Sequence, residues 1–130
     1  MPFIISSNIF LLVPFFVSLL KGEWLYFAFA VGLLISSIGY HYIKLYKPSS
    51  VFFKFFKTLD WVVAVSAYAY MFYFIFTKVE NIFQLPLILL LLVTIVFFWY
   101  GYKFSNYHKF HPWFHVVAFT ASGLVVFMGA

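Results

Sequence analysis

The sequence predicts an all-α fold, an integral membrane bundle of five transmembrane helices, and three observations carry that expectation. Hydrophobic residues make up 66% of the 130 and charged ones only 8%, far more hydrocarbon than a soluble domain of this size can bury. The few polar and helix-breaking positions cut the chain into five apolar runs, each close to the roughly 20 residues that a helix needs to cross a hydrocarbon core. These runs lack the period-two alternation of a barrel strand, and backbone in lipid must be hydrogen-bonded within its own segment, which favours helices.

The first span, about Ile4 to Leu20, carries Pro14 and stops at Lys21-Gly22-Glu23. Without a basic n-region or a small-residue cleavage pattern, the stretch from Met1 reads as a retained helix and not as a removable signal peptide. Span two runs from about Trp24 to Tyr46 and stops at Lys47-Pro48, after which Ser49 and Ser50 offer N-caps for span three. Span three continues to about Phe76 and ends in Thr77-Lys78-Val79-Glu80-Asn81; span four covers about Ile82 to Tyr102. The stretch Lys103 to Phe110 reads as the last loop, and because proline is best tolerated in a first turn, Pro112 places the start of span five near Lys109 to His111. All connections are short, no internal repeat or low-complexity linker interrupts them, and 15.3 kDa leaves no room for a soluble domain. Residues 1–130 therefore read as a single transmembrane helical domain.

The net charge of +5 comes from eight lysines and no arginine. They sit at the ends of apolar runs instead of along one face, which is a pattern of membrane topology and speaks against nucleic acid as a partner. Lys44, Lys47, Lys54, Lys57, Lys103 and Lys109 fall on one side, against Lys21 and Lys78 on the other. By the positive-inside rule the first side is cytoplasmic, with the N-terminus inside and the C-terminus outside. The chain has no cysteine, so disulfides and thiolate metal sites are excluded, and small size without cysteine fits a bacterial inner-membrane protein. Aromatic clusters such as Phe52-Phe53, Phe55-Phe56 and Trp99-Tyr100 read as lipid-facing or interfacial residues.

Against this background three short features stand out: Ser37-Ile-Gly-Tyr-His41, Asp60, and His111-Pro-Trp-Phe-His115. A charged side chain in hydrocarbon costs roughly 2.5 kcal/mol or more unless it is paired or lines a cavity. Five spans fix a parity in which span two ends, and spans three and five begin, on the same side. His41 lies about 9 Å inside the Lys47-Pro48 end at 1.5 Å per residue, Asp60 sits one turn past Lys57, and His111 and His115 occupy the opening turns of span five. All four fall at similar depth. The four-residue spacing stacks His111 on His115 and sets Ser37 one turn from His41. Small residues flank these groups, namely Gly32, Ser36, Gly39, Ala64, Ala67, Ala118, Ala121 and Ser122, and for each of them close helix packing is the simpler explanation.

Three imidazoles with an open fourth position suit Zn2+, which lowers the pKa of a bound water toward 7. Asp60 would act as its proton acceptor and later as proton donor to a leaving group, with Ser37 orienting the water or donating to the developing oxyanion. Blander readings stand beside this one. A lone interfacial histidine is more often a satisfied polar residue, and Asp60 could form an ion pair with Lys57 or Lys54. His108, read as lying in the loop before Pro112, is expected to be solvated or a neighbour of the site. A bis-histidine haem b cytochrome, with His41 and one of His111 or His115 as axial ligands, is the main alternative, though it leaves Asp60 unexplained. A non-catalytic receptor or assembly subunit with a structural metal site is another. Di-iron chemistry is disfavoured, because four histidines are too few for the usual histidine boxes.

With Ser-x-x-x-His on the second span, an aspartate early in the third and His-x-x-x-His opening the last, the chain resembles the CREST superfamily of membrane hydrolases. That superfamily contains alkaline ceramidases, progestin and adipoQ receptors, and hemolysin III relatives. Leu59-Asp60-Trp61 is similar to the Leu-Asp-aromatic step of several members, and His111-Pro-Trp-Phe-His115 to the His-Ala-Trp-Trp-His form of the ceramidases. The resemblance implies His41, His111 and His115 as zinc ligands, Asp60 beside the zinc-bound water, Ser37 as a polar neighbour, and a membrane lipid amide or ester as substrate. The family has seven spans, so this five-span chain is a reduced version. A missing wall of the substrate site would then be supplied by lipid, by a second copy in a homo-oligomer, or by a partner membrane protein.

Overall fold

The computed structural model describes residues 2–104 and 107–130. Met1 and the Ser105-Asn106 centre of the expected last loop lie outside the described residues. The described chain is helical throughout, without strands. It has five helices long and apolar enough to cross a membrane: α1 (Phe3–Lys21), α2 (Trp24–Tyr46), α3 (Phe52–Lys78), α4 (Asn81–Lys103) and α5 (Tyr107–Gly129).

α1 is not uniform. Between two α-helical pieces, Ser7–Leu11 tightens into a 3₁₀ turn, and the sequence explains why. Ser6 and Ser7 hydroxyls and the Asn8 amide all donate back to carbonyls of residues 2–5, competing with the regular ladder. Pro14 supplies no N–H to the carbonyl of Phe10 one turn earlier. The helix closes at Gly22, whose φ of 71° is left-handed, with Glu23 N–H donating to Ser18 O at 2.9 Å and Gly22 N–H to Leu19 O at 3.2 Å. This is a Schellman closure, and it turns the chain directly into α2.

α2 occupies the expected Trp24–Tyr46. α3 begins at Phe52 after a turn, with the Ser50 hydroxyl accepting the Phe52 N–H at 3.3 Å; Ser49 makes no such bond, and the residue at the helix entry is Val51. The last loop is shorter than expected, because α4 runs through Lys103 and α5 already starts at Tyr107. Pro112 therefore stands in the second turn, where its missing N–H costs one bond to the His108 carbonyl. His108 is consequently an exposed helical residue and not part of a loop.

Short connections make sequential helices antiparallel neighbours. α5 is the hub, packing on α1, α3 and α4, and it is the most enclosed of the five. Around its C-terminal half lies an apolar core of Met71, Phe74, Ile75, Leu87, Leu91 and Val125. Two hydroxyl ties lock it: Tyr26 OH to the Ser122 carbonyl at 2.9 Å joins α2 to α5, and Tyr68 OH to Thr94 Oγ1 at 2.6 Å joins α3 to α4. The outer faces present large apolar side chains such as Val62, Leu85, Leu92 and Val96 to the surroundings, as bilayer-facing helices do.

Close approach of α1 to α5 depends on Gly123. A Cβ there would stand 2.5 Å from Val13 Cγ1 and 3.4 Å from the Pro14 backbone nitrogen, and a β-branched side chain on a helix has little freedom to turn away. Gly123→Ala is expected to destabilise the bundle by about 1–3 kcal/mol through overpacking, read as a lower thermal unfolding midpoint in detergent.

Candidate metal centre

His41, on the last third of α2, meets His111 and His115 on the first turns of α5. Ring centroids lie 5.2 Å apart for His41–His111, 5.2 Å for His41–His115 and 4.5 Å for His111–His115. One ring nitrogen from each of the three lies within 4.8 Å of the others, a spacing that modest side-chain rotation closes onto bonds of about 2.0–2.1 Å to a single cation.

The chemistry of the donor set fits such an ion. His41 is 1% exposed, and neither of its ring nitrogens has a hydrogen-bond partner. A buried imidazole with both nitrogens idle is a costly arrangement; a shared metal ion gives one of them a bond. The cluster can hold a metal ion.

His115 is oriented by a residue that sequence reasoning did not single out. The Ser7 hydroxyl, buried in the 3₁₀ turn of α1, lies 3.0 Å from His115 Nδ1 and 3.1 Å from the Ile4 carbonyl. A hydroxyl has one proton. With that proton donated to Ile4, the Ser7 oxygen accepts Nδ1–H from His115, which leaves Nε2 as the lone-pair nitrogen that faces a metal. The only signal for this in the sequence is a Ser-Ser-Asn triplet inside an apolar span.

Aromatic rings fix the remaining freedom. Tyr107 stacks on His111 at 4.2 Å and Phe119 on His115 at 5.1 Å, while Phe98 meets His111 edge-on at 5.5 Å. His108, one residue beyond Tyr107, is exposed and does not belong to the triad.

Asp60 and Ser37 line the same cavity as His111 and His115, a space of about 960 Å³ that reaches inward to Tyr26 and Ser122. The hydroxyl that hydrogen-bonds Asp60 is that of Ser36, donating to Oδ1 at 3.3 Å. Asp60 is thus bonded to Ser36 and not to Lys57 or Lys54, the ion-pair partners that the sequence offers for it. Ser37 is itself buried and borders the cavity. Ser36 was legible only as a small packing residue.

No protein-family model, curated protein or solved structure matches the chain.

Two measurements test the centre. Elemental analysis of the purified protein should find one divalent metal ion per chain, lost when His41, His111 and His115 are changed together to alanine. Ser7→Ala should keep the ion but weaken its affinity by about 10–100-fold, as loss of an orienting partner does, in competition with a chromophoric chelator.

Proposed function

We propose that the chain is a zinc-dependent integral membrane hydrolase, of the CREST type, that cleaves a lipid amide or ester. The observation that carries this reading is a cluster of three buried imidazoles, two of which, His111 and His115, line one apolar cavity together with the Asp60 carboxylate. A cavity with a few convergent polar groups in an otherwise hydrocarbon bundle suits a long-chain substrate with one polar bond.

His41, His111 and His115 would hold the ion. Zinc, when bound there, supplies Lewis acidity that makes a water molecule ionisable near neutral pH. Asp60, steadied by Ser36, takes a proton from the attacking water as its oxygen bonds to the acyl carbon. It returns that proton to the leaving nitrogen or oxygen as the C–N or C–O bond breaks. The products are a free acid and an amine or alcohol, so atoms and charge balance without a co-reactant. Ser37, on the face that also bears His41, donates to the oxygen on which negative charge develops.

The spacing favours one ion over a haem. Axial imidazoles of a haem stand on opposite faces of a macrocycle, whereas here three ring centroids lie between 4.5 and 5.2 Å of each other and one ring nitrogen from each lies within 4.8 Å of the others. On the membrane reading, the end of the bundle that bears Lys44, Lys47, Lys54, Lys57, Lys103 and Lys109 faces the cytoplasm.

The test is zinc content combined with turnover of a panel of acyl amides and esters. Asp60→Ala should retain zinc and lose at least 100-fold in turnover, the scale of a general base. Zinc that persists undiminished in the triple histidine variant would overturn the site. A zinc-loaded wild type that turns over no member of the panel would point to a structural metal in a receptor or assembly subunit.

A further inference from the structure

The cavity has a polar end that the hydrolytic residues do not account for. Besides Asp60, His111 and His115, its lining includes Lys44 and Lys57. Each stands one helical turn from a residue of the site, Lys44 three positions after His41 on α2 and Lys57 three before Asp60 on α3, and residues at that spacing share a face. The Lys44 ammonium is held 4.0 Å from the centre of the Tyr107 ring, and that ring stacks on His111 at 4.2 Å. One aromatic layer thus separates a fixed cation from the metal cluster. At the opposite end the lining is Tyr26, Phe29, Met71 and Phe119, with the Tyr26 hydroxyl already committed to Ser122.

Charge at this end is unbalanced. Asp60 is the only carboxylate there, and its hydrogen bond goes to Ser36. The other lysines at this end, Lys47, Lys54, Lys103 and Lys109, are not part of the cavity lining, so the topological role that all six share does not explain why two of them enter it. A neutral polar group at the mouth would leave two cations against the single carboxylate of Asp60, one positive charge in excess. A zwitterion ending in a quaternary ammonium would add a third.

We propose that Lys44 and Lys57 form a recognition site for the anionic end of a single-chain acyl amphiphile, with its acyl chain lying inward toward Tyr26. The anion is a carboxylate or a phosphate carried close to the acyl amide or ester bond, within reach of an ammonium one ring's thickness from the metal cluster. The volume of about 960 Å³ sits at the upper end of pockets that hold one small ligand, roughly 300–1,000 Å³, so one chain is accommodated. This rests on the hydrolase reading for the position of the scissile bond, but binding itself does not require turnover.

The experiment measures binding to the full-length zinc-loaded Asp60→Asn protein in detergent, by displacement of a fluorescent fatty-acyl probe. Two matched pairs are compared, N-oleoylglycine against N-oleoylethanolamine and oleoyl lysophosphatidate against monooleoylglycerol. The expected result is at least tenfold tighter binding of the anionic member in one or both pairs, and the pair that shows it identifies carboxylate or phosphate as the source. Lys44→Gln with Lys57→Gln should erase the preference while leaving the neutral ligand's affinity unchanged, which also shows that the variant is folded. Lys47→Gln with Lys109→Gln, the same charge change outside the cavity, should keep it. Equal affinity within both pairs, or a preference that survives the cavity variant or vanishes equally in the outer one, overturns the proposal. A preference that behaves as expected beside a wild type with no turnover would overturn the hydrolase reading alone.

Discussion

Three imidazoles cannot be gathered in a hydrocarbon interior without something for their nitrogens to bond, and the arrangement of the bundle follows from that requirement. Three rings offer six nitrogens, each a donor or an acceptor. In this chain Ser7 takes one of them, while both nitrogens of His41 have no protein partner. Leaving such groups bare costs about 1–3 kcal/mol apiece, so the cluster is stable in proportion to what it binds. A common cation would convert the least favourable feature of the interior into a cross-link between α2 and α5.

The need to bring those rings together also divides the bundle into two halves. Toward the Lys78 end, Phe74, Ile75, Leu91 and Val125 pack without exposed surface, and the Tyr26 and Tyr68 hydroxyls tie helices in pairs. Toward the other end the large rings of Tyr40, Phe98, Tyr107 and Phe114 brace the histidines at the edge of a hollow. Rigid support at one end and open volume at the other is what a positioned reactive group requires, since its neighbours must be held while a substrate enters. The 3₁₀ turn of α1 belongs to this scheme, because it turns Ser7 inward against His115.

Much of this was legible in the residues themselves. Five spans followed from the positions of Lys, Pro and Gly, and α2 lies where its apolar run begins and ends. The meeting of His41, His111 and His115 followed from parity and from a four-residue spacing, both of which depend only on helix geometry. What stayed hidden depends on helix rotation. Ser36 and Ser37 differ by about 100° around α2, and no periodicity in a uniformly apolar helix says which of them faces Asp60. Ser7 was hidden for a different reason, because its partner is distant in sequence and its own helix departs from α-geometry just where it matters. α5 begins before the first turn that Pro112 alone suggests, because the helix accepts the loss of one bond at the proline.

A five-helix bundle has fewer walls than a seven-helix one, and the lining shows how the hollow is nonetheless enclosed. Leu11 and Pro14 of α1, residues of α2 and α3, Ile95 and Phe98 of α4, and the histidines of α5 all border it, so each helix contributes a wall. On the flank of α3, Trp61 and Val65 border the cavity and are also 61% and 53% exposed. An indole and an aliphatic side chain thus stand between the cavity and the outer surface, a wall that favours passage of a hydrocarbon chain over a hydrated solute. For a substrate dissolved in the bilayer this is the useful direction, since the chain moves sideways from lipid into an apolar space without crossing water. On the proposed hydrolase reading its polar end would meet Lys44 and Lys57 and its acyl carbon the histidine cluster, and the smaller number of helices would leave open the side from which such a molecule arrives.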